Sequence, residues 1–232
     1  MRIVSWNCNG ALRNKLARLQ SLNADLYIIQ ECEDPIRSSS ADYQSWAKNH
    51  LWVGTNKNRG LGVFAKPDTQ LEAIQLDCES LELFLPCKIN GSINLLAAWT
   101  REANSPTFGY IGQLWKLLQK HEKFLNAEYS ALIGDLNSNA CWDVWDRWWN
   151  HSDVVRQLAT IGLSSLYHHS AREQQGAESK PTFYMHRKIQ KPYHIDYAFL
   201  SAKLLNGATC EVGEPASWLE HSDHMPLVIN IP

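Results

Sequence analysis

The sequence predicts an α/β chain in which β-sheets pack on one another and are covered by helices. Three observations lead there. Short apolar runs far outnumber long amphipathic stretches, which fits packed sheets better than a simple βαβ array. A hairpin dipeptide, Asn90-Gly91, joins two apolar stretches; such a pair signals a type I′ turn. Several of the apolar runs end in carboxylate, amide or imidazole side chains, as strands do when they carry a site at a sheet rim.

In chain order, Ile3 to Trp6 reads as a buried strand. Leu12, Leu16, Leu19 and Leu22 fall at helical spacing, and Asp25 to Gln30 is the next strand. Leu51 to Thr55 and Leu61 to Lys66 flank a polar, Gly-containing turn and are expected to form a hairpin. Tyr110 to Leu125 carries Ile111, Leu114, Leu118 and Leu125 between charges, the pattern of an amphipathic helix. Ala131 to Leu136 is a strand and Asp153 to Ile161 a helix. Thr182 to Met185, His194 to Leu200 and Met225 to Ile231 are late strands. Ser170 to Lys180, rich in Gln, Glu, Gly and Ser, reads as a surface loop.

The length of 232 residues suits one large α/β domain, or at most two small ones. With 44% hydrophobic and 20% charged residues the composition is that of an ordinary globular protein. A net charge of −2 argues against a strongly basic, nonspecific nucleic-acid binder, though a local basic groove is compatible with it. Met1 runs directly into Arg2-Ile3-Val4-Ser5-Trp6, unlike an export signal. No apolar run approaches the ~20 residues of a membrane span. The six cysteines are scattered without a C-x-x-C pair, as expected for reduced thiols. The cytoplasm is the expected compartment.

The chemistry gathers at strand ends. Val4-Ser5-Trp6 runs into Asn7-Cys8-Asn9-Gly10. Tyr27-Ile28-Ile29 runs into Gln30-Glu31-Cys32-Glu33. Ala131-Leu132-Ile133 runs into Gly134-Asp135-Leu136-Asn137. In an extended chain, positions i and i+2 share a face, so Asp135 and Asn137 are expected to point the same way, as are Asn7 and Asn9. A carboxylate beside an amide can hold a water and orient it toward phosphorus. His194 and Asp196 are expected on one face of a late strand, and His221-Ser222-Asp223-His224 precedes the last one. A buried Asp beside a His fixes its tautomer and raises its pKa. Singly, each of these pieces is also an ordinary turn, strand end or cap; the ordered set is harder to explain as such.

That set resembles the endonuclease/exonuclease/phosphatase (DNase-I-like) family. The matching pieces are Trp6-Asn7-Cys8-Asn9-Gly10, Gln30-Glu31, Gly134-Asp135-Leu136-Asn137, Ile195-Asp196-Tyr197 and Ser222-Asp223-His224-Met225-Pro226-Leu227, in the family's order and across almost the whole chain. The resemblance implies one domain over residues 1–232, built as a four-layer α/β (α+β) sandwich. Two mostly antiparallel or mixed sheets would pack face to face with flanking helices. It implies a phosphodiester hydrolase using Mg²⁺, with Mn²⁺ as a substitute, most readily a nuclease on DNA or RNA. Glu31 would be the principal metal ligand, completed by Asn7 and Asp223. Asp135 would activate the attacking water, Asn137 would hold that water or a phosphate oxygen, and His224, supported by Asp196, would contact the phosphate.

The sequence also departs from the family. Many of its nucleases carry Asp where this chain has Asn9. The strand that carries a catalytic His or Tyr there reads Leu95-Leu96-Ala97-Ala98-Trp99-Thr100-Arg101 here. Trp99 cannot do acid–base work, so Thr100 or Arg101 takes part of the role, or the role is absent. Asn9, Trp99, Tyr193 and Trp142 are the expected substrate contacts. Trp145, Trp148 and Trp149 share one helical face; they read either as a helix packed on the core or, with Trp142, as an aromatic wall that stacks a base or holds an apolar ligand. Arg13, Lys15 and Arg18 read as a solvated helix face or as contacts to a phosphate backbone. His168-His169 and the Cys8/Cys32 pair lack zinc-ligand spacing.

Two other functions fit the residues. A phosphatase or phosphodiesterase for a small molecule or lipid headgroup suits the near-neutral charge and short chain. A binding module that kept the fold without catalysis is opposed by the joint presence of Glu31, Asp135, Asn137, Asp196, Asp223 and His224.

Overall fold

The computed structural model describes residues 1–103 and 105–232. In chain order the strands are β1 (Arg2–Asn7), β2 (Leu26–Cys32), β3 (His50–Asn56), β4 (Arg59–Ala65), β5 (Leu71–Ala73), β6 (Phe84–Ile89) and β7 (Ile93–Trp99). There follow β8 (Ser130–Asp135), β9 (Leu163–Ser165), β10 (Phe183–Tyr184), β11 (Pro192–Tyr193), β12 (Asp196–Ser201), β13 (Thr209–Val212) and β14 (Leu227–Asn230). One six-stranded sheet has the order β13-β14-β1-β2-β4-β3 and the other β5-β6-β7-β8-β12-β9, with β10 and β11 forming a separate ribbon. Both sheets are mixed: β1–β2 and β7–β8 are parallel, and the remaining pairs antiparallel.

The alternation of side chains along each strand builds the layers. Ile3, Ile28 and Val63 of one sheet meet Leu95, Ile133 and Leu200 of the other in a shared apolar core. Their neighbours Val4, Tyr27 and Ile29 face outward onto Leu12, Leu16, Leu19 and Tyr43. On the far side, Leu96 and Leu132 face the helices Ile111–Leu125 and His151–Thr160 through Leu114, Leu118, Val154 and Leu158. The result is the four-layer order helix, sheet, sheet, helix. At about 25 cal/mol per Å² of apolar surface buried, these three interfaces are the main stabilising term.

Several sequence expectations hold and some need correction. Asn90 and Gly91 both take positive φ, 49° and 65°, in a turn that Ser92 N–H closes on the Ile89 carbonyl and that joins β6 to β7 as the expected hairpin, with Ile89 paired to Ile93. β3 and β4 form the expected hairpin. The first helix is broken into a 3-10 turn, Leu12–Asn14, and a short helix, Leu16–Gln20, around the non-helical Lys15, whose ammonium binds the carbonyls of Cys8 and Gly10. The tryptophan-rich segment is not one helix: Trp142 ends a 3-10 turn, Ala140–Trp142, residues 143–150 are irregular, and the α-helix starts only at His151. The capping chemistry sets that start. Asn150 and Asp153 form a capping box, and Asp143 accepts the backbone N–H groups of His151 and Ser152. All six cysteines are free. Among the described residues, no helix is long and apolar enough to cross a membrane.

Candidate active site

The C-terminal ends of β1, β2 and β8 converge where the two sheets meet. Asn7 closes β1 and its Nδ2 donates to Asp135 Oδ2 at 2.9 Å and to Glu31 Oε1 at 3.3 Å. One amide thus ties together residues from three strands and both sheets. Gly134 precedes Asp135 for a steric reason. Its φ is +152°, and a Cβ there would lie 1.8 Å from the carbonyl oxygen of Ala98 on the neighbouring strand. Only glycine lets β8 lie this close to β7 and deliver Asp135 to the rim.

Asp135 is fully buried. Its Oδ1 accepts the backbone N–H of Asn137 at 2.8 Å, and its Oδ2 also accepts Asn137 Nδ2 at 3.0 Å. Asn137 therefore meets Asp135, though not through strand alternation. β8 ends at Asp135, and Asn137 has φ 44° in a turn closed by the aspartate itself. Asn7 and Asn9 repeat the device: Asn9, at φ 51°, donates its backbone N–H to Asn7 Oδ1 at 3.0 Å. Asn9 Nδ2 then holds Asp223 Oδ1 at 2.9 Å.

Glu31 sits at a register shift of β2 against β4, with φ 63°. A bulge re-aims a side chain, and here it accompanies a left-handed conformation that a Glu rarely adopts. Glu31 meets Asn7 on one side and the guanidinium of Arg59 on the other.

Asp196 is the register partner of Asp135 across β12 and β8. Its backbone N–H, like that of Ile195, donates to Thr182 Oγ1. Asp196 Oδ2 accepts Nδ1–H of His224 at 3.0 Å, and His224 Nε2 stands 3.9 Å from Asp135 Oδ2. The His224 loop is pinned from β1: Trp6 Nε1 donates to the His224 carbonyl, and Ser222 Oγ donates to that of Asn7 while accepting the His224 N–H. The Phe183 ring lies 4.6 Å from the imidazole.

The electrostatics follow from this packing. Burial would push the His224 pKa down, but the facing Asp196 and Asp135 carboxylates prevail and raise it to about 9. Burial raises Asp135 to about 7, against the pull of His224 and the amides of Asn7 and Asn137, with Asp196 adding to the rise. Near neutral pH the arrangement holds an imidazolium beside a carboxylate poised to take a proton.

The donor set suits a hard divalent cation. Asp135 and Asp196 offer carboxylate oxygens within 4.8 Å of one another and of the His224 ring, which as an imidazolium is not itself a ligand. Asp196 Oδ1 is buried with no hydrogen-bond partner among the described residues. Glu31 adds a third carboxylate, linked to Asp135 through Asn7.

Not every expected residue reaches this centre. Trp99, read as a substrate contact, is 3% exposed and belongs to the core between the sheets, with the Arg101 guanidinium 5.1 Å from its ring. The Thr100 hydroxyl donates to the Leu136 carbonyl, so it is engaged in structure. His194 precedes β12 and packs among Tyr167, His168 and Tyr197, with Nδ1 on the Lys180 carbonyl. It therefore does not share the Asp196 face. Asp223 joins the centre through Asn9. Tyr193 and Trp142 lie together, ring centroids 5.0 Å apart. Arg13 pairs with Glu33, and the Arg18 guanidinium lies over Trp218. Sequence reasoning missed Arg59, Phe183 and Thr182. Arg59 and Phe183 reach the site from β4 and β10, and Thr182 from the residue before β10; none carries a local sequence signal.

No family model matches the chain, and no curated protein does. Solved structures match over its whole length. They include the 3′ phosphatase NExo from Neisseria bound to a product DNA hairpin, with TM-score 0.71 and 18% identity, covering 100% of this chain and 99% of that one. The 3′-5′ exonuclease NExo from Neisseria meningitidis matches with TM-score 0.72 at the same identity and coverage. An AP endonuclease from Archaeoglobus fulgidus matches with TM-score 0.70, again at 18% identity and with 100% and 99% covered. The chain thus has the endonuclease/exonuclease/phosphatase (DNase-I-like) fold, the architecture the motif order implied.

Proposed function

We propose that this chain is a divalent-metal-dependent phosphodiesterase that cleaves nucleic acid. The observation that carries the reading is the joined set Glu31–Asn7–Asp135 and Asp135–His224–Asp196 at the meeting of the two sheets. Glu31 and Asn7 are the residues proposed to hold the metal, with Asp223 supporting them through Asn9. When bound, Mg²⁺ or Mn²⁺ supplies positive charge that polarises the phosphate.

The chain's own groups perform the rest. Asp135, oriented by the amides of Asn7 and Asn137, takes a proton from water as the water oxygen bonds to phosphorus. The P–O bond to the departing sugar oxygen breaks on the opposite side, and that oxygen takes its proton from solvent water. His224, held protonated by Asp196, donates Nε2–H to the phosphate and balances its developing charge. The fold's likeness to DNA-acting nucleases supports a nucleic-acid substrate. The near-neutral net charge keeps a small phosphoester as the second reading.

A substrate panel tests the reading: abasic duplex, single-stranded DNA, RNA, bis-p-nitrophenyl phosphate and an inositol phosphate, each with Mg²⁺ and with Mn²⁺. Cleavage of a nucleic acid that chelator abolishes and metal restores is expected. Activity confined to the inositol phosphate would overturn the nuclease reading. Activity untouched by chelator would overturn the metal.

A further inference from the structure

A run of aromatic rings leads away from His224. Phe183 lies 4.6 Å from the imidazole, Tyr193 lies 6.4 Å from Phe183 across the β10–β11 ribbon, and Trp142 lies 5.0 Å from Tyr193. Where the run reaches Trp142, the chain becomes unusually exposed for its composition. Trp142 is 41% exposed, Trp145 98% and Trp148 65%. Trp145 is bared almost entirely to water. Burying an indole is strongly favourable, and Trp145 forgoes nearly all of that gain in the free protein. Its neighbour Trp148 is held edge-on by Trp149, which packs in turn against Phe108, so the segment has a firm base.

We infer that Trp142 and Trp145 form a stacking platform for unpaired bases of a nucleic-acid strand whose phosphodiester lies at Asp135 and His224. This rests on the hydrolase reading above and names its substrate class: a single-stranded or frayed end. Two observations favour bases over other occupants. The first is continuity, because the ring run starts at a catalytic imidazole. The second is charge. The ribbon that supplies Phe183 and Tyr193 carries His186, Arg187, Lys188 and Lys191 between its strands, with no acidic residue among them. Between Trp145 and Trp148 stand Asp146 and Arg147, the latter held by Asn150 Oδ1 and the Trp142 carbonyl, so the cations for the phosphates come from the ribbon. Aromatic faces beside cationic side chains are what a strand needs, rings for its bases and cations for its phosphates. Val144 and Ile189 are bared beside the indoles, and indoles also seat in membrane interfaces, so an anionic vesicle is the competing occupant in the test.

The test is binding in EDTA, where no cleavage occurs, read from quenching of tryptophan emission by an oligothymidylate, a blunt DNA duplex and anionic phosphatidylserine vesicles. The oligothymidylate is expected to quench and to bind more tightly than the blunt duplex. Stacking contributes about 1–3 kcal/mol per base, so Trp145→Ala and Trp142→Ala should each weaken single-strand binding about tenfold and blunt-duplex binding far less. Trp145→Phe should recover part of the loss. Trp145 makes almost no packing contact, so its alanine variant should keep the wild-type melting temperature. Unchanged single-strand affinity in both alanine variants, or equal affinity for blunt duplex, overturns the platform and leaves the hydrolase reading intact. A response to vesicles alone overturns it in favour of a membrane surface. Hydrolysis of bis-p-nitrophenyl phosphate with no binding of any nucleic acid overturns the platform and the nuclease reading together, while sparing the phosphodiesterase chemistry.

Discussion

The guanidinium of Arg59 caps the carboxylate of Glu31: Nε donates to Oε2 at 2.8 Å and a terminal nitrogen bonds the same oxygen, while Oε1 accepts Asn7 Nδ2. An organic cation therefore sits on the acid group proposed to bind the metal. The Arg59 side chain is half exposed, so it can leave without disturbing the core.

Competition for Glu31 follows. A half-exposed ion pair stabilises by up to about 1 kcal/mol, so displacing Arg59 should weaken metal binding by up to about fivefold. Arg59→Ala is expected to bind Mg²⁺ more tightly by up to that factor in calorimetric titration without substrate. Unchanged or weaker binding would show that Arg59 does not oppose the metal.

The pH profile of kcat/KM should be bell-shaped. Asp135 acts ionised, so activity rises as pH climbs through its pKa of about 7. His224 acts protonated, so activity falls as pH passes its pKa of about 9. A bound cation favours the deprotonated forms and shifts both limbs down from these values. The two limbs belong to the interacting pair and are measured as such. His224→Gln should remove the alkaline limb. A wild-type profile without an alkaline fall would contradict the protonated role of His224.

Asp196 acts through His224. Asp196→Asn removes the carboxylate that raises the imidazole pKa, so the alkaline limb should move to lower pH and kcat should fall by about 10²–10³-fold. Asp135→Asn should lower kcat at least as much and abolish the acid limb. If Asp196→Asn reduced kcat but left the limb in place, its role would be packing alone.

Gly134 is a matter of space. Any Cβ at this position overlaps the Ala98 carbonyl, which belongs to a paired strand and cannot move alone. Gly134→Ala should destabilise by about 4 kcal/mol or more, read from urea unfolding. A loss below about 1 kcal/mol would mean that β7 and β8 can separate at low energetic cost.

Local chemistry made much of this chain readable without coordinates. Asn90-Gly91 specifies its hairpin because only a few residue types tolerate two consecutive positive φ angles. The spacing of Ile111, Leu114, Leu118 and Leu125 specifies its helix, because one face must meet the sheet. Asp135 is legible because an apolar strand that ends in a carboxylate presents it at a sheet rim. Tertiary structure alone decided the rest. Asn137 and Asn9 meet their partners through turns closed by side chains, where strand periodicity no longer applies. His194 turned from the site because its neighbours supply an aromatic cage. Trp99 entered the core, and Trp145 stayed in water in a segment that precedes the helix, whose start at His151 is set by Asn150 and Asp143. Arg59 found Glu31 across two strands 28 residues apart in sequence. The sequence determined which residues could do chemistry, since that is a property of side chains and their immediate neighbours. Which of them share one site depends on contacts between distant strands, and only packing the two sheets together decides those.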